Sequence, residues 1–178
     1  MIRLFAALAV PPEIGHALQA RQHGIEGARW RPLEALHVTL RFFGEIRQDL
    51  ARDLDAELLE VSARPFEIEL AGAGAFGDGD DIHAVWAGVA ETPALSGLAA
   101  ACEAAARRVG LPPDKRRYRP HVTLAYTRRP DPVAVAHWIQ ANNLLKSPAI
   151  PVTSFGLYSS HLGGEGAHYT PEAAYGLR

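Results

Sequence analysis

The sequence has little of what several functional classes require. Only one of its 178 residues, Cys102, is a cysteine, so it offers no internal disulfide and no cysteine cluster for zinc. A single thiol fits a reducing compartment, and we expect a cytoplasmic protein. No apolar run reaches the roughly 18 residues of a membrane span, so no membrane partner is expected. The glycine motifs of dinucleotide and P-loop sites, GxGxxG and GxxxxGK[ST], are absent.

The chain also lacks an excess of positive charge. Eighteen basic and twenty acidic side chains give a formal net charge of −2. Non-specific nucleic-acid binding depends on counterion release at basic surfaces. Any contact with a nucleic acid must therefore rest on a local patch, and the strongest is Lys115-Arg116-Arg117-Tyr118-Arg119. This run, which includes Arg119, is a candidate for contacting a nucleic-acid strand. The alternative is that it forms a solvated loop.

Length and residue patterning predict one α+β domain over residues 1–178, built of two lobes. Apolar and alternating stretches predict strands, and helical apolar spacing predicts helices. The predicted strands are 2–10, 36–43, 66–70, 82–89, 121–126 and 150–159, and the predicted helices are 11–23, 47–61, 93–109 and 132–140. Turns are predicted at 77–80 and at Gly163-Gly164-Glu165-Gly166. The apolar segment at the N-terminus could also be a short secretion signal. The first strand is the favoured interpretation, because Pro11-Pro12 follows it as the start of a helix would.

One four-residue motif occurs twice. His37-Val38-Thr39-Leu40 recurs unchanged as His121-Val122-Thr123-Leu124, nearly half a chain length later. Side chains alternate along a strand, so in each copy His and Thr share one face while Val and Leu share the other. Val and Leu belong in a core. Two lobes related by a pseudo-twofold axis would bring the two His/Thr faces together across a groove.

Two histidines and two threonines around one centre suit displacement at phosphorus. Histidine titrates near neutral pH, so one of His37 and His121 can be a base while the other is an acid. The hydroxyls of Thr39 and Thr123 can donate hydrogen bonds to phosphate oxygens, where negative charge must be stabilised. A ribose cyclic phosphate fits such a mechanism without a metal ion.

Two other interpretations compete with this one. A single HxT on a strand is usually structural, but two identical copies in matching apolar contexts favour a functional pair. A zinc site needs three or four protein ligands. Each motif offers one such ligand, and the sequence contains no HxH, HExxH or nearby cysteine, so neither a metal nor another cofactor is expected.

Strand alternation also selects candidate substrate contacts beyond the first motif. By alternation Arg41 lies on the same face as His37, where it is a candidate for binding phosphate. The alternative is that Arg41 is simply exposed to solvent. Phe43 shares that face, and Phe42 is expected to point into the core with Val38 and Leu40.

Several blocks of the chain resemble one enzyme family. The paired HxTx motifs are typical of the 2H phosphoesterase superfamily, and the flanking sequence is similar to its bacterial and archaeal RNA 2′,3′-cyclic phosphodiesterases, also called 2′-5′ RNA ligases. The resembling blocks are Arg3-Leu4-Phe5-Ala6-Ala7, Arg29-Trp30, residues 36–45, residues 119–125, Leu157-Tyr158-Ser159-Ser160 and Gly166-Ala167-His168-Tyr169.

The resemblance implies an α+β fold of two pseudo-symmetric lobes, with antiparallel sheets lining a central groove and helices outside, and it implies a function. It implies hydrolysis of RNA 2′,3′-cyclic phosphate ends, or of nucleoside 2′,3′-cyclic phosphates, to 2′-phosphomonoesters. An RNA 5′-hydroxyl in place of water would give ATP-independent 2′-5′ ligation. The family pattern assigns His37 as general acid toward O3′ and His121 as general base toward the nucleophile. The sequence does not determine the oligomeric state, and a monomer is expected.

The sequence departs from the family at one position. Family members often carry arginine five residues after the second motif histidine, where this chain has Tyr126, followed by Arg128 and Arg129. Tyr126 could stack on a base. Two alternatives therefore stay open: a cyclic phosphodiesterase for small nucleotides such as ADP-ribose cyclic phosphate, and a non-catalytic module that binds RNA ends.

Overall fold

Helices and antiparallel strands alternate along the chain in the computed structural model, which describes residues 1–164 and 166–178. The strands are β1 (Ile2–Ala9), β2 (Arg29–Trp30), β3 (His37–Ile46), β4 (Phe66–Ile68), β5 (Leu70–Phe76), β6 (Ala84–Val89), β7 (His121–Tyr126), β8 (Ile150–Val152), β9 (Ser154–Gly163) and β10 (Gly166–Gly176). The helices are α1 (Pro12–Gln19), α2 (Gln48–Leu59), α3 (Pro93–Arg108) and α4 (Pro132–Asn142).

Two four-stranded sheets carry the two motifs. The first sheet has the strand order β10-β9-β1-β3 and the second β2-β7-β6-β5, while β4 and β8 form a small separate pair. All of these pairs are antiparallel. The α+β fold with antiparallel sheets is confirmed. The motif strands β3 and β7 contact each other, so the sheets meet where the motifs lie.

The sheets do not follow the two halves of the chain. Strand β2 precedes the first motif but joins the second sheet, where Arg29 and Trp30 pair with Tyr126 and Ala125 of β7. The C-terminal strands β9 and β10 join the first sheet through β1. Each sheet therefore combines sequence from both sides of the repeat.

The apolar face of both motifs lies in the core. Val38, Leu40, Val122 and Leu124 are at most 4% exposed, as the alternation predicted. Burying a side chain of this size stabilises the fold by about 1.5–3 kcal/mol. The histidines and threonines on the other face are partly exposed, so burial of one face sets the orientation of the other.

Both motif strands contain a β-bulge at the same position. Pairing of β3 with β1 passes from Thr39 to Arg41 and leaves Leu40 without an opposite residue. Pairing of β7 with β6 passes from Thr123 to Ala125 and leaves Leu124 without one. An extra residue on one strand shifts the side-chain alternation that follows it.

Some element boundaries differ from the prediction. Helix α1 ends at Gln19, and the strand predicted at 66–70 is divided between β4 and β5. Strand β5 continues to Phe76 through Leu-Ala-Gly-Ala-Gly-Ala-Phe, a composition that carries little strand signal. Gly163 and Gly166 pair across the predicted turn, and Glu165 lies outside the described residues. Over the described ranges, no helix combines the length and apolarity that crossing a membrane requires.

Burial of Cys102 generates a stability probe. The side chain lies on α3 at 0% exposure, and burial raises the pKa of its thiol to about 12. Because the thiolate is the reactive form, we expect no labelling by a disulfide-exchange reagent at pH 8 in the folded protein and complete labelling in denaturant. Rapid labelling without denaturant would contradict this placement.

Candidate active site

The two motif histidines are held in the same way. His37 Nδ1 lies 2.8 Å from the carbonyl oxygen of Ala35, and His121 Nδ1 lies 2.7 Å from that of Arg119. A carbonyl can only accept, so Nδ1 carries the proton in both rings. In the neutral imidazole Nε2 is then the proton acceptor, and each ring is set up to exchange a proton at Nε2.

Aromatic rings pack against both imidazoles. The centroid of His37 lies 4.8 Å from that of Phe5 and 5.2 Å from that of Tyr169, which meets it edge-on. The centroid of His121 lies 4.8 Å from that of Phe76, again edge-on, and 5.9 Å from that of Trp86. Phe5 and Trp86 come from the strands that pair with β3 and β7. Each imidazole therefore has restricted freedom to rotate.

Burial keeps both histidines neutral in the free protein. The pKa of His37 is lowered from 6.5 to about 4, mainly by desolvation. The hydrogen bond to Ala35 opposes this shift, and the charges of Arg31 and, when it is protonated, of His121 add to it. Desolvation also lowers the pKa of His121. The strands that carry the two imidazoles, β3 and β7, contact each other.

The two threonines differ in their contacts. Thr39 Oγ1 lies 2.9 Å from His37 Nε2, so its hydroxyl donates to the neutral ring or accepts from the protonated ring. Among the described residues Thr123 has no corresponding bond to His121. The Tyr118 hydroxyl donates to the Thr39 carbonyl at 2.9 Å, tying the loop before β7 to the first motif.

A cavity of about 550 Å³ opens beside His37, and we call it the arginine-rich cavity. Its lining is cationic and aromatic. It comprises Arg3, Phe5, Arg29, Trp30, Arg31, Pro32, His37, Thr39, Phe42, Arg116, Tyr126, Ser160, Leu162, Gly166, Ala167 and Tyr169. His121 and Thr123 are not in its described lining, whereas Tyr126, from the same strand β7, is.

The bulge at Leu40 overturns two predicted contacts. Phe43 is 7% exposed and belongs to the core, whereas Phe42, expected in the core, lines the arginine-rich cavity. Arg41 faces away from the cavity, where it forms an ion pair with Glu103 of α3 and donates to the Pro112 carbonyl at 2.8 Å. The extra residue shifts the alternation of side chains, so the fifth residue after the histidine, Phe42, lies on the same face of the strand as His37.

Tyr126, at position five after His121, does line the cavity. Arg119 contributes its backbone: its carbonyl holds His121, its side chain is exposed, and its charge lowers the pKa of His121. Of the basic run before the second motif, Arg116 reaches the cavity. Arg31 and Tyr169 are not among the residues that the sequence predicted. The position of Phe42 could have been found by aligning the two motif copies, which matches Phe42 with Tyr126.

The described residues offer no cluster of three or more histidine, cysteine, aspartate or glutamate side chains arranged to hold a metal ion. The site presents imidazoles, hydroxyls and guanidinium groups. These side chains exchange protons and bind anions.

Comparison with known proteins agrees with this arrangement. The profile of the 2′-5′ RNA ligase superfamily matches residues 10–164. The RNA 2′,3′-cyclic phosphodiesterase of Archaeoglobus fulgidus is 29% identical over 94% of this chain and 96% of its own length. That of Thermus thermophilus is 30% identical over 99% of this chain and 91% of its own length. The structure of Escherichia coli LigT complexed with 3′-AMP has a TM-score of 0.79 at 27% identity, covering 99% of this chain and 98% of that chain.

Two histidines on matching strands of two antiparallel sheets define the 2H phosphoesterase class. Within it, this chain belongs to the 2′-5′ RNA ligase superfamily, which confirms the resemblance drawn from its paired HxTx motifs.

The exchanged positions of Phe42 and Phe43 predict opposite effects of truncation. Phe43→Ala removes a buried ring and should lower the free energy of unfolding by about 3 kcal/mol or more. Phe42→Ala empties part of the cavity wall and should cost about 1 kcal/mol. Urea denaturation of both variants measures the difference, and an equal or larger cost for Phe42→Ala would contradict the shifted alternation.

The histidine environment predicts an acid-shifted titration. We expect the ring protons of His37 to titrate by NMR with a midpoint near pH 4, and those of His121 below pH 6.5. The unfolded chain takes up these protons near pH 6.5. The contribution of neutral His37 to the free energy of unfolding is therefore fully present above pH 6.5. It decreases as the pH drops from 6.5 towards 4. Loss of the signal in His37→Gln assigns the resonance, and a midpoint at or above 6.5 would contradict the prediction.

Proposed function

We propose that this protein hydrolyses RNA 2′,3′-cyclic phosphate ends to 2′-phosphomonoesters without a metal ion. The observation that carries the proposal is the matched pair His37 and His121, each held through Nδ1, which leaves Nε2 as the nitrogen that exchanges a proton. The relatives in A. fulgidus and T. thermophilus are named RNA 2′,3′-cyclic phosphodiesterases. E. coli LigT holds a nucleoside monophosphate, 3′-AMP.

The proposed reaction places phosphorus between the two imidazoles. His121 Nε2 takes a proton from water as the water oxygen bonds to phosphorus. The bond from phosphorus to O3′ breaks on the opposite side, and His37 Nε2 donates its proton to O3′. The products are a 2′-phosphate and a 3′-hydroxyl. Proton exchange with solvent then returns each histidine to its starting state.

The contacts of the two rings support this division of roles. Protonated His37 can donate from Nδ1 to Ala35 and from Nε2 to Thr39, at 2.8 and 2.9 Å, so its imidazolium has an acceptor at each nitrogen. His121 Nε2 makes no side-chain hydrogen bond within the described residues, which leaves it open to water. A bound anionic phosphate opposes the desolvation of His37 and favours its protonated form.

The threonine hydroxyls complete the proposed site. Thr39 and Thr123 share the faces of His37 and His121 and can donate to the non-bridging phosphate oxygens, where charge accumulates as water attacks. The same geometry extends to ligation. If the 5′-hydroxyl of a second RNA replaces water, its oxygen bonds to phosphorus and O3′ leaves, which gives a 2′-5′ linkage without ATP.

The first test is hydrolysis of a 2′,3′-cyclic-phosphate-ended RNA in excess EDTA. We expect unchanged turnover and a 2′-phosphate product. His37→Ala and His121→Ala should each lower kcat by about 100-fold or more, because each removes a proton-transfer group. Product isomers are separated by chromatography against 2′- and 3′-phosphate standards.

His137→Ala serves as the matched control. His137 is an exposed histidine of α4, and its replacement should leave turnover within about twofold. Full turnover in His37→Ala or His121→Ala would remove that histidine from its role. Binding of RNA ends without any turnover would favour a binding module over an enzyme, and loss of activity in EDTA would contradict the metal-independent reaction.

A further inference from the structure

Arg31 is a buried cation without an anionic partner among the described residues. It is 8% exposed, yet it belongs to none of the ion pairs in that part of the chain. Its guanidinium donates a single hydrogen bond there, from Nη2 to the Ala167 carbonyl at 3.1 Å. Most of its five N–H donors are therefore unused. Burying a charge without pairing it is costly.

Two tyrosines fix the position of this guanidinium. Its carbon lies 5.5 Å from the ring centroid of Tyr126 and 5.5 Å from that of Tyr169. Such cation–π contacts contribute about 0.5–2 kcal/mol each, and they restrain the group while leaving its donor edge unpaired. Tyr169 also packs against His37. Arg31 is therefore a rigidly held, charged hydrogen-bond donor that lies beside the first motif.

The surroundings of Arg31 favour an anion. Its cavity is also lined by Arg3, Arg29 and Arg116, and its described lining contains no aspartate or glutamate. Arg116 is paired with Asp114 outside the lining, at 3.0 Å, so the excess positive charge comes from Arg3, Arg29 and Arg31. The chain as a whole carries a net charge of −2, so this concentration of positive charge is local. A guanidinium offers paired donors that match two oxygens of a phosphate.

The position of the cavity indicates which phosphate it would receive. In the proposed function the reacting phosphate lies between His37 and His121, and of these two histidines His37 is the one in the described lining of the arginine-rich cavity. A nucleotide with its cyclic phosphate between the histidines would direct the rest of its ribose into the cavity. The next anionic group along that nucleotide is the phosphate on O5′.

We propose that Arg31 binds the phosphate on O5′ of the nucleotide that carries the cyclic phosphate, and so selects RNA ends over cyclic phosphates of free nucleosides. This inference rests on the proposed function. The other three arginines are exposed, so Arg31 is the preorganised member of the set. Tyr126 and Tyr169 act as positioning residues, because they hold the guanidinium.

The test compares three substrates that differ in this phosphate: adenosine 2′,3′-cyclic phosphate, its 5′-phosphorylated form, and the dinucleotide ApA ending in a 2′,3′-cyclic phosphate. We expect kcat/KM for the two substrates with a 5′-phosphate group to exceed that for the nucleoside form by about tenfold or more. Arg31→Gln should abolish this preference, so that the three substrates react with similar kcat/KM.

Two further variants separate charge from position. Arg31→Lys keeps the charge but loses the paired donors and should retain part of the preference. Arg29→Gln removes an exposed arginine of the same cavity and should retain most of it. Thermal unfolding verifies that each variant folds.

Several outcomes would overturn the proposal. An equal loss on all three substrates in Arg31→Gln would place Arg31 at the reacting phosphate or in the fold, and no loss would remove it from binding. A gain with the dinucleotide but not with the 5′-phosphorylated nucleotide would assign the preference to the second nucleoside.

Binding tests the proposal independently of turnover. Isothermal titration with adenosine 2′,5′-bisphosphate and 2′-AMP measures the contribution of the 5′-phosphate directly. We expect the bisphosphate to bind about tenfold more tightly, and Arg31→Gln to remove the difference. If the protein hydrolyses none of the three substrates, the proposed function fails, and an Arg31-dependent difference in binding still supports the phosphate site. Equal binding of both ligands would overturn it.

Discussion

Each motif strand has to serve the core and the groove at once, and the site depends on this constraint. Val38, Leu40, Val122 and Leu124 are buried, so neither strand can rotate or slip without exposing them. The opposite faces are fixed as a consequence. The carbonyl two residues before each histidine then accepts its Nδ1 proton, at 2.8 Å for His37 and 2.7 Å for His121. Packing sets the position of each ring, and one hydrogen bond sets its tautomer.

The bulge at the fourth residue of each motif extends this arrangement. Leu40 and Leu124 each stand without an opposite residue, and the shift turns the fifth residue after each histidine toward the cavity. These residues are Phe42 and Tyr126, and each has an arginine over its ring: Arg3 at 4.9 Å and Arg31 at 5.5 Å. One irregularity, occurring twice, therefore creates two aromatic and cationic pairs beside the first histidine.

The sequence determined those parts of the site that follow from strict patterns. Two unchanged HVTL motifs predicted the paired strands, their buried faces and the family. Alternation beyond the fourth residue failed for Phe43 and Arg41, because a bulge is a property of pairing with another strand and leaves no mark on one strand's composition. Arg31 was missed for a related reason. Its burial comes from Tyr126 of β7 and Tyr169 of β10, which only the folded chain brings together.

The electrostatics of the site connect substrate binding to protonation. Desolvation and the charge of Arg31 hold His37 neutral in the free protein, with a pKa of about 4, whereas the proposed general acid must carry a proton. The bound substrate supplies the missing negative charge. In the proposed reaction the cyclic phosphate would lie against His37, and a phosphate at Arg31 would neutralise the cation that opposes protonation. In this scheme a ligand with both phosphates protonates His37 more readily than one with a single phosphate, so recognition of the RNA end also prepares the acid for the reaction.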